Sequence, residues 1–181
     1  MIIAGLVNMA IMKKIDMSEK FPIYNFTKEI DGKIISRDII KRPDISAILA
    51  IDNDMIIIEK NDRFPNGIDI EIPSGNIEEG EEPIDCAKRE LKEETGYVAE
   101  SMIEFTKFYT SIGYSTQIVH CFVAKGLEKK SEQKLDEGEY ITIEKTSLEN
   151  MLKMIKEGTI VDSITLSSVL TYVIKNELTD F

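Results

Sequence analysis

The sequence predicts an α+β domain in which helices flank a mixed β-sheet. Two observations carry this. Short apolar runs bounded by turn residues fill the middle of the chain, as strands do, while helical patterns come once within that region and twice at its end. The 181 residues, 43% of them hydrophobic, suffice for one domain with a substantial core.

The elements follow in order. Residues 22–31, then Gly32, then KIISRDII read as a hairpin closed by an Asp-Gly turn and ended by Pro43. This sets an N-terminal segment and hairpin, 1–43, before a main domain, 44–181. DISAILAID (44–52) and MIIIEK (55–60) are apolar strands around Asn53-Asp54 and form a central hairpin. After a loop at 61–67, IDIEIP (68–73) is a further strand, and SGNIEEGEE is an exposed loop. Pro83 stands where a helix begins. Ile84, Ala87 and Leu91 then fall at i, i+3 and i+7, which predicts a helix over 83–94 with one buried stripe, stopped by Gly96. Residues 102–111 and 116–126 are strands around S-I-G-Y, and 128–139 is a polar loop. Residues 139–145 alternate as a strand. Thr146 or Ser147 opens a helix over 148–158, and a second, mostly apolar helix spans 161–178.

Composition narrows the function. The net charge of -11 and the lack of a dense Lys/Arg stripe argue against a nucleic-acid surface. They leave open a phosphate site built on metal ions and a few focused cations. Cys86 and Cys121 have no neighbour at ligand spacing and read as reduced, buried thiols of a cytoplasmic protein. The apolar start MIIAGLVNMAIMKK is too short to span a bilayer, and its lysines follow the run rather than precede it. It reads as a short helix or strand packed on the body or on a partner. The methionines read as core filler.

The chemistry lies in GNIEEGEEPIDCAKRELKEETGY, residues 75–97. Glu90 and Glu94 are four apart and share a helix face, with Glu93 at its edge. Three carboxylates near a helix C-terminus oppose both one another and the dipole. A hard divalent cation reverses that argument, because Mg²⁺ favours carboxylate oxygens. A loop folding back across the helix would bring Glu81 to Arg89 and present a backbone carbonyl to the metal. Gly75 and Gly96 would permit tight turns at its two ends. The carboxylates alone also fit a solvated acidic helix with incidental ion pairs.

The whole pattern resembles the Nudix signature at every fixed position. Gly75 is followed after five residues by Glu81, after seven more by Arg89-Glu90-Leu91, then Glu93-Glu94, Gly96 and the bulky Tyr97. The resemblance implies an α/β/α sandwich and hydrolysis of a nucleotide pyrophosphate with Mg²⁺, or Mn²⁺ in its place. It also implies Glu90, Glu93 and Glu94 as metal carboxylates, with the Ser74 carbonyl as a further ligand. Over roughly 44–175 the chain is most similar to the ADP-ribose pyrophosphatase branch. Arg63 in IIIEKNDRF, Glu71-Ile72-Pro73-Ser74-Gly75 and the loop from Tyr109 to Gln117 carry that likeness. Two residues depart from it: Ile112 replaces a proline and Gln117 a glutamate. Arg63 is either a surface cation or, as its place in the branch implies, a phosphate contact, and Gln117 is an implied substrate contact. Tyr114 either stacks on adenine or packs, and His120, alternating with Ile118 and Phe122, is structural.

The branch also implies a catalytic base on a loop after the signature. Here that loop is Leu135-Asp136-Glu137-Gly138-Glu139, with Glu139 favoured over Glu137 and Glu93 as the reserve. The resemblance further implies a homodimer through residues 22–43. Two other readings stay open: cleavage of another nucleotide, such as a dinucleoside polyphosphate or NADH, and a non-catalytic nucleotide-sensing module.

Overall fold

The computed structural model describes residues 11–14 by their backbone and residues 21–63, 65–136 and 138–178 in full. The remainder of the apolar start and Glu137 lie outside the described residues. Contacts divide the chain into two compact units, 1–43 with 109–118, and 44–108 with 119–181.

The first unit holds a three-stranded antiparallel sheet of β1 (Ile11–Lys14), β2 (Ile23–Ile30) and β3 (Lys33–Ile40), in the order β1-β2-β3. Ile30 faces Lys33 across the turn, and Asp31 and Gly32 both take positive φ, 50° and 73°. A two-residue turn of that kind matches the strand twist, which is why Asp-Gly marks it in the sequence. The segment 109–118 attaches to the end of β3. Ile40 N–H donates to the Tyr114 carbonyl at 2.7 Å, and Thr116 N–H donates to that of Ile40 at 3.1 Å.

The second unit is the sandwich. Its seven-stranded mixed sheet runs β10 (Ile141–Ser147), β5 (Met55–Asp62), β4 (Ile45–Asp52), β9 (Ile118–Lys129), β8 (Tyr97–Tyr109), with β6 (Ile68–Glu71) added to β5 and β7 (Ser74–Asn76) to β4. β4 and β9 are parallel; the other pairs of known register are antiparallel. The β4–β5 hairpin is paired only at its turn, Ile51 with Ile56 and Asp52 with Met55. Beyond that the strands part. β4 takes β7 and β9 as neighbours while β5 takes β6 and β10, so each is buried by different strands.

Alternation along β4 and β5 sends side chains to two cores. Ala47, Leu49, Ile56 and Ile58 join Met151, Ile160 and Val169 on the side of α2 (Leu148–Lys156) and α3 (Ser163–Lys175). Ile48, Ala50 and Ile57 join Ala87 and Leu91 of α1 (Pro83–Thr95) on the other. Ser147 caps α2 by accepting from Asn150 N–H, and Asp162 caps α3 by accepting from Thr165 N–H. Both cysteines are free and buried. Among the described residues no helix is long and apolar enough to cross a membrane.

Three sequence expectations need correction. Residues 74–76 are not loop: they form β7, whose ladder to β4 begins directly after Pro73. Ile84 is 37% exposed, so the buried stripe of α1 consists of Ala87, Leu91 and the carboxylate Glu94 together with Cys86 and Thr95. The last helix is shorter than 161–178, because Asp162 caps its start and it ends at Lys175.

Candidate active site

Helix α1 and strand β7 build the acidic site. Pro83 opens the helix after Glu82, whose side chain makes no cap. The buried Ser46 hydroxyl on β4 instead donates to the Pro83 carbonyl at 2.7 Å and pins the first turn. From this seat, Glu90 and Glu94 turn toward β7. Glu94, 6% exposed, accepts the Ser74 N–H at 2.9 Å through Oε2. Glu90 lies directly over Gly75, where a Cβ would come within 1.9 Å of its carboxylate. Gly75 sits opposite Ser46 in the β4–β7 ladder, not in a tight turn. Glycine is needed there for the close approach of Glu90. Gly96 does close the helix as expected, with φ at 75°.

Arg89 locks the intervening loop. Its Nε and Nη2 both donate to Glu81 at 2.9 Å, Nη2 reaches the Asn76 carbonyl at 3.1 Å, and Glu78 N–H donates to Glu81 at 3.0 Å. Nη1 donates to Glu90 at 2.6 Å and Glu93 at 3.2 Å. The ring Glu81–Arg89–Glu90 thus ties the loop to the acidic face. The hydrogen bonds from Arg89 hold the Glu81 carboxyl down at about 2, below its ordinary 4.5. A depressed folded value gives stability that is complete above the unfolded value and lost as pH falls through the folded one. Glu81→Gln should therefore lower the melting temperature most at neutral pH, with the deficit shrinking from pH 4.5 toward 2. A deficit that stays constant between pH 7 and pH 3 would show that the ion pair does not hold the loop.

Strand β5 supplies a floor that the sequence analysis missed. Ile57, Glu59 and Asn61 alternate onto the face that α1 covers, and all three are buried. Glu59 pairs in register with Glu71 of β6. Arg63 grips Glu71 in a two-pronged bond, Nε to Oε1 at 2.7 Å and Nη2 to Oε2 at 2.5 Å, and its side chain stays half exposed. Among the described residues Glu59 makes no such ion pair, although the Arg63 charge pulls against its rise, and its Oε1 is buried without any hydrogen-bond partner. Burial first, then the Glu71 charge, pushes the Glu59 carboxyl up; burial, then Glu59 and Glu90, pushes Glu94 up. Burial also raises Glu90 against the pull of Arg89. In the sequence Glu59 opens the polar half of β5, Glu59-Lys60-Asn61-Asp62, and only its phase with Ile57 sets it apart from an exposed charge.

The polar loop 130–140 closes the C-terminal end of α1. Lys134 N–H donates to the Glu93 carbonyl at 2.8 Å, the Gln133 amide to that of Glu94 at 2.6 Å, and Lys130 N–H to that of Gly96 at 2.9 Å. Helix carbonyls that have no intrahelical partner are satisfied in this way. The loop is thereby held beside the acidic face, and the Glu139 charge raises Glu59, Glu90 and Glu94. Glu139 itself is exposed, in a turn where its carboxylate accepts the Asp136 N–H at 3.1 Å. Gly138 takes φ 92° in that turn.

The remaining predicted residues are on other elements. Gln117 and Tyr114 belong to the first unit. Gln117 is 1% exposed; its amide donates to the Pro43 carbonyl at 2.8 Å and its oxygen accepts from Thr110 Oγ1 at 3.3 Å. It holds its own loop together. Tyr114 and Ile112 are exposed, at 57% and 75%. His120 Nδ1 bonds Glu104 at 3.0 Å.

Among the described residues no three His, Cys, Asp or Glu side chains converge as they stand on one metal position. Glu90 and Glu93 are turned to Arg89, and Glu94 to Ser74. The donor chemistry nevertheless fits a hard divalent cation. It consists of carboxylate oxygens, buried in excess of the local positive charge, one of them without a partner.

Comparison with known proteins agrees with this geometry. The family model described as NUDIX domain matches residues 40–162. The chain is 41% identical over 138 residues to an ADP-ribose pyrophosphatase of Bacillus subtilis (strain 168), covering 75% of each. It is 39% identical over 142 residues to a methanol dehydrogenase activator of Bacillus methanolicus, covering 77% of each. A solved structure described as an ADP compounds hydrolase superposes with a TM-score of 0.82 over 98% of both chains at 19% identity, which shows the shared fold.

Proposed function

Because the chain belongs to the Nudix family, we propose that it hydrolyses the pyrophosphate bond of ADP-ribose or a related nucleoside diphosphate sugar, giving a nucleoside monophosphate and a sugar phosphate. One observation carries this reading. Glu90 and Glu94 are folded against Gly75 and Ser74 on a helix locked by Arg89 and Glu81, with more negative charge than the fold itself can use. Glu90, Glu93, Glu94 and the Ser74 carbonyl would hold Mg²⁺, or Mn²⁺ in its place. Such an ion supplies charge neutralisation to the pyrophosphate and acidity to a bound water.

The chain's own residues do the rest. Arg63, fixed by Glu71 and half exposed, offers its outer N–H groups to a phosphate. Glu139 accepts the proton of the attacking water, with Glu137 and Glu93 behind it. Arg89 acts indirectly, by holding Glu90 and the loop. Tyr114 offers a ring for stacking on the base. Residues 44–181 form the catalytic domain. Residues 1–43 supply a homodimer contact, for which exposed Ile30 and Ile34 are apolar candidates. Two free thiols fit a reducing cytoplasm.

Likeness to the Bacillus subtilis ADP-ribose pyrophosphatase supports this substrate class. A second reading, another nucleotide pyrophosphate such as a dinucleoside polyphosphate or NADH, is favoured by exposed Ile112 in place of the branch's proline and by the burial of Gln117. A substrate panel with Mg²⁺ separates the two. ADP-ribose should give the highest kcat/KM or lie close to it. A value less than about a hundredth of that for another pyrophosphate, a gap of about 2.7 kcal/mol in transition-state binding, would assign the enzyme to the other substrate.

A further inference from the structure

Glu59 lies outside the signature and on a different element from the other carboxylates. The period of β5 places it in the same layer as Ile57, on the floor covered by α1. Its neighbours across the sheet are Ile143 on β10 and Glu71 on β6. Arg63 is bonded to Glu71, and Arg89 is committed to Glu81, Glu90 and Glu93. The adjacent Lys60 points to the opposite face and bonds Glu144 at 2.5 Å. Glu59 itself is 1% exposed, its charge acts on Glu94, and its Oε1 is buried without a partner. A buried carboxylate facing a second one is costly unless something positive reaches it. For stability alone, an aliphatic residue like Ile57 would serve better at this position.

We infer that Glu59 is a further ligand of the divalent-cation centre, reaching it from β5 beneath Glu94. The inference rests on the cation site proposed above. It accounts for two facts that the signature leaves unexplained: a fully buried carboxylate on a core strand, and a buried oxygen without a hydrogen-bond partner. Glu94 spends Oε2 on the Ser74 N–H, so a carboxylate from the floor adds a donor that α1 does not provide.

The test is Mn²⁺ binding to the full chain without nucleotide, by calorimetry or electron paramagnetic resonance, in wild type, Glu59→Gln and Glu94→Gln. The metal-free melting temperature of each is measured alongside. Glu59→Gln should melt no lower than wild type without metal, bind Mn²⁺ about tenfold or more weakly, and gain less heat stability from Mg²⁺. Mn²⁺ affinity within about twofold of wild type, while Glu94→Gln is weakened, would overturn the role of Glu59 and spare the cation site. Wild-type affinity in Glu94→Gln as well would overturn the site itself. If Glu59→Gln does not fold, Glu59→Asp keeps the charge and withdraws the carboxylate by one methylene. Weakened Mn²⁺ binding by that folded variant supports the inference, and unchanged binding overturns it.

Discussion

Glu94→Gln should lower kcat by about 10³-fold, roughly 4 kcal/mol of transition-state stabilisation, while the protein stays folded. The amide keeps an oxygen for the Ser74 N–H, so the bond that seats the side chain against β7 survives. What goes is the charge. Burial, with Glu59 and Glu90 next to it, raises the Glu94 carboxyl well above the ordinary range. A raised folded value means stability that is complete at low pH and lost as pH rises through it. Without metal, wild type should therefore lose heat stability on the alkaline side, and the variant should lose less. Loss of turnover in a protein at least as stable as wild type separates a ligand from a structural residue. Near-normal kcat in saturating Mg²⁺ would remove Glu94 from the site.

Glu139→Gln should lower kcat by roughly 10²-fold, the scale of general-base loss, with little change in KM. The carboxylates of α1 are poor acceptors for the water proton because a cation would claim their charge. Glu139 is exposed, its loop is tied to the Glu93, Glu94 and Gly96 carbonyls, and its charge is felt at Glu59, Glu90 and Glu94. The bond to Asp136 N–H is solvent-exposed, and Gly138 lets the turn reopen over a substrate. Glu137→Gln should cost less. If both variants keep more than about half of wild-type kcat, the base lies elsewhere, and Glu93, whose carboxylate accepts from Arg89 at 3.2 Å, is next.

The local elements were readable in the sequence because their signals are local. Asp31-Gly32, Pro83 and Gly96 fix backbone conformations by their own chemistry, and the Glu81–Arg89 clasp follows from residues eight apart across a loop. What escaped depends on long-range pairing. The parting of β4 from β5 depends on competition from β6, β7, β9 and β10, which apolar runs do not reveal. Residues 74–76 are too short for a strand signal and become one only beside β4. Ile84 fits the helical period yet is exposed, because the buried face of α1 turns toward a site and carries Glu94. Glu59 reads as one more charge in sequence; only the fold brings it under α1. The bonds of the Gln117 side chain to Pro43 and Thr110 likewise come from the fold and not from a local signal.

The most direct measurement is the product analysis of ADP-ribose incubated with the purified chain, once with Mg²⁺ and once with a chelator. The account predicts AMP and ribose 5-phosphate in equal amounts with Mg²⁺, and intact ADP-ribose without it. Equal cleavage in both samples, or no cleavage of ADP-ribose or any other nucleotide pyrophosphate with Mg²⁺ or Mn²⁺ present, would contradict it.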